Sequence, residues 1–294
     1  MIPRVTHQTI QRQTLANLQN NLSAMAALQA QMSSGKKINV PSDDPAAASD
    51  VLRLRSDQRV LAQYARNVSD GNSWLTTVDS ALNSSLTILR RARDLTVQGG
   101  DGALGPDSRE ALATEIEGLR EALLDQANTT YVGRTVFAGT SNAGRAFDDT
   151  YTFTGSPTAN PVERRVGAAQ NIRVDSDGAK VFGEGAGSVF ALLDDIATTL
   201  RAGGDPTDRL DDIDVHMSNM LQEVSSVGAR QNQMDRANAA ITDTKLTVTT
   251  QLSGIEDIDL AEVILELQTQ EVTYKGALGA AARVLQPSLL DFLR

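Results

Sequence analysis

The segment LANLQNNLSAMAALQAQM, residues 15–32, decides the fold class of this chain. Its apolar side chains recur at alternating intervals of three and four residues, with a polar gap at Gln29. This is the a/d pattern of an amphipathic helix that packs on another helix over about three heptads. The positions are Leu15, Leu18, Leu22, Met25 and Met32.

The last helical pattern of the chain carries a second apolar seam, which Pro287 ends. Glu271 is its one charged residue, and its other positions are Ile264, Leu267, Tyr274, Leu278, Ala281 and Leu285. The simplest way to bury both narrow seams is to pack them on each other, so we predict that the N- and C-terminal helices pair as a coiled coil. In the alternative, each seam binds another subunit.

The middle of the chain combines long helical patterns with one stretch of different character. Residues 134–187 hold eight glycines and five of the eleven aromatic residues, with short runs typical of β-strands between turn residues. The predicted fold is mainly α, an elongated antiparallel helical rod with a small β domain. The predicted segments are 1–45 (N-terminal coiled-coil assembly), 46–133 (rod), 134–187 (β-rich outward-facing insertion), 188–253 (rod) and 254–294 (C-terminal coiled-coil assembly).

Composition excludes several classes of protein. The 294 residues include no cysteine, so disulfides, thiolate metal sites and cysteine catalysis are excluded. The net charge of −10 argues against nucleic acid as a partner, because phosphate binding needs a concentrated basic surface. No run of about 18 apolar residues is present, so we expect no membrane insertion.

The first 42 residues contain basic residues but no acidic one. They lack the apolar core and the cleavage site of a secretory signal peptide. A mitochondrial transit peptide shares the acid-poor, amphipathic character, although it is usually richer in arginine. A polar helix that faces solvent explains the same composition without any targeting role.

A search for chemistry finds no site, so we predict no catalytic residues, no cofactor and no metal. His7 and His216 have no local motif that supplies partners for acid–base work. The glycine run Gly183–Gly187 lacks the spacing of a phosphate-binding loop. The acidic pairs lack the ligand spacing of a calcium loop, and those before helices complement the helix dipole.

Several stretches resemble one known family. Residues 29–39, QAQMSSGKKIN, precede the motif PSDDP at 41–45 in the manner of the flagellin superfamily. The PSDDP form and the C-terminal stretch QPSLLDFL, residues 286–293, resemble the hook–filament junction branch more than the filament flagellins. Further support comes from residues 66–75, from GRTVFAGT at 133–140 and from GARQN at 228–232.

The resemblance implies a structural adaptor of the bacterial flagellum, not an enzyme. Such proteins are exported unfolded through the flagellar type III apparatus without a cleaved signal peptide, and they act outside the cell. The implied partners are the hook-side junction protein, flagellin, further copies of the chain in a ring and an export chaperone at the C-terminus. The assembly interface is expected at Leu15, Leu18, Leu22, Met25, Met32, Ile264, Leu267, Tyr274, Leu278, Leu285, Leu289, Leu290 and Phe292.

Two alternatives stay open at this point. A filament flagellin would have the same fold and export route but thousands of copies. A ligand-binding protein or an enzyme would have its site in the glycine-rich insertion.

Overall fold

The computed structural model describes residues 7–156 and 160–284. The helices are α1 (His7–Ser34), α2 (Pro45–Gly99), α3 (Pro106–Ala127), α4 (Gly178–Phe182), α5 (Val189–Arg201), α6 (Leu210–Glu256) and α7 (Leu260–Val284). The strands are β1 (Thr130–Tyr131), β2 (Arg134–Thr135), β3 (Glu163–Arg165) and β4 (Asn171–Arg173). The predicted class, mainly α with a small β-rich insertion, is confirmed. Within these two ranges, every helix is too short or too polar to span a bilayer.

The chain divides into two compact units. The terminal unit comprises the described parts of residues 1–60 and 244–294, and the central unit comprises residues 61–243. In the terminal unit α1 packs on α7, which agrees with the predicted pairing of the chain ends.

The central unit is built around the antiparallel parts of α2 and α6. Asn72 Nδ2 donates to Asp235 Oδ1 at 3.2 Å, and Arg93 Nε donates to Asp214 Oδ1 at 2.8 Å. Residue numbers rise along α2 as they fall along α6, so the two helices run in opposite directions. The heptad residues of α2 form the core beneath them and are fully buried at Leu75, Val78, Leu82 and Leu89.

Gly71 permits a close approach of these helices. A bend at this glycine would be compatible with the sequence, but α2 continues through it without interruption. A Cβ at Gly71 would lie 2.4 Å from Met234 Cε of α6 and 3.3 Å from Val174 Cγ1. The glycine is therefore explained by packing, since its missing side chain leaves room for Met234.

Helices α3 and α5 pack on each other in the same unit. Ser188 caps α5 as its sequence position predicts, because Ser188 Oγ accepts the Ala191 N–H at 3.2 Å. Arg201, in the last turn of α5, pairs with Glu110 and Glu117 of α3. The apolar face of α5 is buried at Val189, Leu193, Ile196 and Leu200.

The insertion contains less regular β-structure than its sequence predicts. β1 pairs with β2 and β3 pairs with β4, each as a two-stranded antiparallel sheet. The run at 151–154 forms only an isolated bridge between Phe147 and Phe153. Side chains hold this region together instead: the Phe147 ring lies 5.2–5.9 Å, centroid to centroid, from the rings of Phe153, Phe182 and Phe190.

Arg230 of the GARQN motif joins the insertion to α6. Its Nη1 donates to the Asp175 carbonyl at 2.6 Å, and its Nη2 pairs with the Glu223 carboxylate. Ser176 Oγ donates to the same carboxylate at 2.6 Å. A motif that carries family resemblance thus has a structural role at this position.

Tyr151 joins the insertion to α5. Its hydroxyl donates to Asp194 Oδ2 at 2.6 Å, and Arg120 pairs with the other carboxylate oxygen. Burial and this hydrogen bond raise the pKa of Tyr151 to about 12. A tyrosine with a raised pKa stabilises the fold while it is neutral, so the contribution is complete below pH 10 and is lost as the pH rises towards 12.

We therefore expect Tyr151→Phe to lower the free energy of unfolding by about 1 kcal/mol at pH 8. The difference between the two chains should shrink as the pH rises from 10 to 12, because the unsubstituted chain loses its advantage on ionisation of Tyr151. Urea unfolding at a series of pH values measures this difference. A difference that stays constant up to pH 12 would contradict the prediction.

Candidate assembly surface

The contact between α1 and α7 is a narrow seam. Its half-buried positions on α1 follow a spacing of four and three residues, at Thr14, Leu18, Asn21, Met25 and Leu28. The corresponding positions on α7 follow the same spacing, at Val263, Leu267, Gln270, Tyr274, Ala277 and Ala281, of which Val263 and Ala281 are buried, at 7% and 4% exposure. Leu18, Met25, Leu267 and Tyr274 therefore lie where the two helices meet.

A polar contact interrupts this seam near its middle. Gln270 Nε2 lies 3.3 Å from the Asn21 carbonyl and 3.4 Å from Asn21 Oδ1. Amide side chains at seam positions lower stability but favour one register, since a shifted register would leave them unpaired. The contact aligns Met25 with Leu267 on one side and Leu18 with Tyr274 on the other.

The other predicted seam residues point away from this contact. Leu15 is 59% exposed, Leu22 49%, Leu278 43% and Ile264 38%. The sequence pattern suggested one seam for all of them, and this was wrong: α7 covers one side of α1 and leaves its leucine stripe open. Met32, at the end of α1, is 36% exposed as well.

The terminal unit therefore carries an outward apolar surface. We define it by Leu15 and Leu22 of α1 with Ile264 and Leu278 of α7. Leu265 and Val272 of α7 are also exposed, at 66% and 70%. The other predicted interface residues, Leu285, Leu289, Leu290 and Phe292, lie outside the described residues.

The PSDDP motif organises the loop between α1 and α2. Asp43 Oδ2 accepts the backbone N–H groups of Asn39 and Val40 at 2.9 and 3.0 Å, and these bonds lower the pKa of Asp43. Asp44 Oδ1 accepts the N–H groups of Ala46 and Ala47 at the start of α2. The two aspartates thus brace a turn and cap a helix, as the position of the motif predicts.

Sequence reasoning missed a buried charge cluster at the base of the terminal helices. Glu256, at the end of α6, is 2% exposed and pairs with both Lys36 and Arg55. Burial alone raises the pKa of Glu256, but the hydrogen bonds from the two cations outweigh it and the net pKa is lowered. No local signal identifies this cluster, because Arg55 and Glu256 are 201 positions apart.

A depression in the central unit has a volume of about 540 Å³ and borders the insertion. Ser188 lines it, but its hydroxyl is engaged as the cap of α5 and donates to the Gly185 carbonyl at 2.7 Å. Arg209 Nε neutralises Asp195 at 2.7 Å. Burial lowers the pKa of His216, so this histidine is neutral at pH 7. Among the described residues, no group of three or more acidic or histidine side chains could hold a metal ion.

Comparison with known proteins identifies the family. The profile of the bacterial flagellin N-terminal helical region matches residues 5–142. The profile of the bacterial flagellin C-terminal helical region matches residues 210–293, so the two matches together cover well over half of the chain. The chain belongs to the flagellin family. Helices α1 to α3 and α6 to α7 are accordingly its flagellin helical regions.

Within the flagellin family the resemblance to the hook-associated branch is confirmed. Hook-associated protein 3 of Escherichia coli is 27% identical over 306 aligned positions, which cover 93% of this chain and 95% of that protein. Flagellin of Bacillus subtilis is 26% identical over 318 positions, covering 99% and 100%. Filament flagellins are nevertheless less well matched than the junction proteins.

A solved structure shares the fold. The crystal structure of flagellar hook-associated protein 3 from Legionella pneumophila superposes with a TM-score of 0.63 at 15% sequence identity. The superposition covers 70% of this chain and 98% of that one.

Proposed function

We propose that this chain is a structural subunit of the bacterial flagellum that joins the hook to the flagellin filament and catalyses no reaction. The observation that carries the proposal is the similarity to hook-associated protein 3, which extends over 93% of the chain. The flagellin profiles match residues 5–142 and 210–293, so the family similarity includes both apolar seams and omits most of the insertion.

Assembly would use the outward apolar surface of the terminal unit. Leu15 and Leu22 on α1 are separated by seven residues and share one helix face, and so do Ile264 and Leu278 on α7. Completing the burial of each side chain would contribute about 1 kcal/mol per subunit contact. Neighbouring copies in a ring would cover this surface, and exposed apolar stripes of this kind mark protein–protein contacts.

The remaining partners follow from a position between hook and filament. The hook-side junction protein would bind one edge of the ring, and the first flagellin subunits would bind the other. The subunit would leave the cell through the flagellar type III apparatus and act outside it.

An export chaperone would bind residues 254–294 before secretion. A fragment of residues 254–294 should then retain the chaperone in a pull-down, whereas a fragment of residues 1–253 should not. Retention by the second fragment alone would contradict this part of the proposal.

Electron microscopy of intact flagella tests the function directly. An antibody against residues 141–187, which lie mostly outside the flagellin-matched regions, should label a narrow band where hook meets filament. Label along the whole filament would make the chain a filament flagellin. Absence of label from accessible flagella would overturn the structural role and favour a ligand-binding protein.

A further inference from the structure

Two turns that are far apart in the sequence pair at one end of the terminal unit, where α1 ends and α7 begins. We call this end the base of the two helices. The Lys37 N–H donates to the Glu256 carbonyl at 2.6 Å, and the Ile258 N–H donates to the Gly35 carbonyl at 3.3 Å. Lys36 and Asp257 form an antiparallel β-bridge between these bonds. The end of α1 is thus joined to the segment that connects α6 with α7.

The Glu256 side chain lies directly at this junction. Its carboxylate is 3% exposed, whereas the side chains of Lys36 and Arg55 are 42% and 44% exposed. Oε1 accepts from Arg55 Nη2 at 2.6 Å and also pairs with Lys36, while Oε2 is buried without a hydrogen-bond partner. The carboxylate therefore depends on the two cations for its compensation, because a buried charge without partners is strongly unfavourable.

The two cations belong to different parts of the chain. Lys36 lies two positions beyond the last residue of α1, and Arg55 lies ten positions after the first residue of α2. Glu256 is the last residue of α6, four positions before α7 begins. Displacement of the end of α1 would therefore remove Lys36 and leave Arg55 as the one cation that compensates the buried Glu256 charge. Beyond these turns, most positions of the α1–α7 seam are only half-buried, and the seam contains the polar contact of Asn21 with Gln270.

We propose that Glu256, Lys36 and Arg55 form an electrostatic latch that makes the ordering of α1 and α7 a single event. With the latch closed, the bases of both helices are held together, and the effective concentration of α1 near α7 is high. With the latch open, α1 is tethered only through its loop to α2, and its weak seam with α7 separates. The latch acts on the folding of one subunit and is independent of the flagellar role proposed above.

Hydrogen exchange of the full-length chain tests the latch. Glu256→Gln should lower amide protection about ten-fold in both terminal helices, around Met25 in α1 and around Leu267 in α7. Protection around Leu82 in the central unit should not change. The matched control is Glu262→Gln, which removes a charge from the exposed first turn of α7 and should leave α1 unaffected.

A double-mutant cycle separates the latch from simple helix capping. Lys36→Met alone should lower protection in α7 as well as in α1, although residue 36 belongs to neither helix. The further loss caused by Glu256→Gln should then be much smaller in the Lys36→Met background than in the unsubstituted chain. The proposal would be overturned if the two losses were additive, or if the loss were confined to α7. It would also be overturned if neither helix of the unsubstituted chain were protected from exchange.

Discussion

Leu267→Asp is expected to abolish incorporation of the chain into flagella while leaving its central unit folded. Leu267 lies on the side of α7 that meets α1, in the layer aligned with Met25. An aspartate there places a charge against apolar side chains, at a cost of about 3 kcal/mol. The terminal seam has few deeply buried residues, so a loss of this size is enough to separate α1 from α7 and to disrupt the outward apolar surface.

Complementation of a strain that lacks the gene measures this effect. Motility and immunolabelling at the base of the filament should both be lost, while circular dichroism of the purified chain should retain the thermal transition of the central unit. Gln268→Asp is the matched control, because it adds the same charge to an exposed neighbouring position. Normal motility with Leu267→Asp would refute the role of the seam.

A companion variant separates the pairing of α1 with α7 from the contacts between subunits. Leu22 is 49% exposed and lies on the outward surface, so Leu22→Asp should leave the α1–α7 pair protected from hydrogen exchange. Incorporation should nevertheless be lost, since the charge would lie between neighbouring copies. Full incorporation of Leu22→Asp would place the contact between subunits elsewhere on the chain.

The heptad pattern predicted that α1 packs on another helix, but it could not identify the covered face. Leu15, Leu18, Leu22 and Met25 fit one a/d pattern, and only Leu18 and Met25 face α7. A helix with apolar residues on two adjacent stripes can bind a partner on either. The face that α7 covers includes Asn21, whose amide contacts Gln270, and the sequence of α1 alone does not identify this partner.

The insertion shows a different limit of sequence reasoning. Turn residues and aromatic residues predicted a small β-rich insertion, and the run predicted at 171–174 contains β4, Asn171–Arg173. The other runs form little regular sheet. Packing of Phe147 against the neighbouring phenylalanine rings holds this region together instead of strand pairing. The Glu256 latch could not be predicted from the sequence for a related reason. Its residues form a charge cluster only when the fold brings Glu256 to Arg55 and Lys36, more than 200 positions away in the chain.

Phe147→Ala is expected to lower the free energy of unfolding of the central unit by about 3–5 kcal/mol. The ring is fully buried and contacts three other phenylalanine rings, so its removal leaves a cavity that neighbouring aromatic side chains fill poorly. Trp74, the only tryptophan in the chain, is 2% exposed in the same unit, and its fluorescence during urea unfolding reports the change.

Two further variants show whether the loss of stability comes from the buried ring. Val215→Ala truncates a side chain of α6 that is 59% exposed in the same unit and should change stability by less than about 1 kcal/mol. Phe147→Leu keeps part of the apolar volume and should cost less than the alanine variant. A loss below about 1.5 kcal/mol for Phe147→Ala would mean that the insertion is loosely packed around its centre. Such an interior would have room for a ligand, whereas the expected loss requires that the phenylalanine rings already fill it.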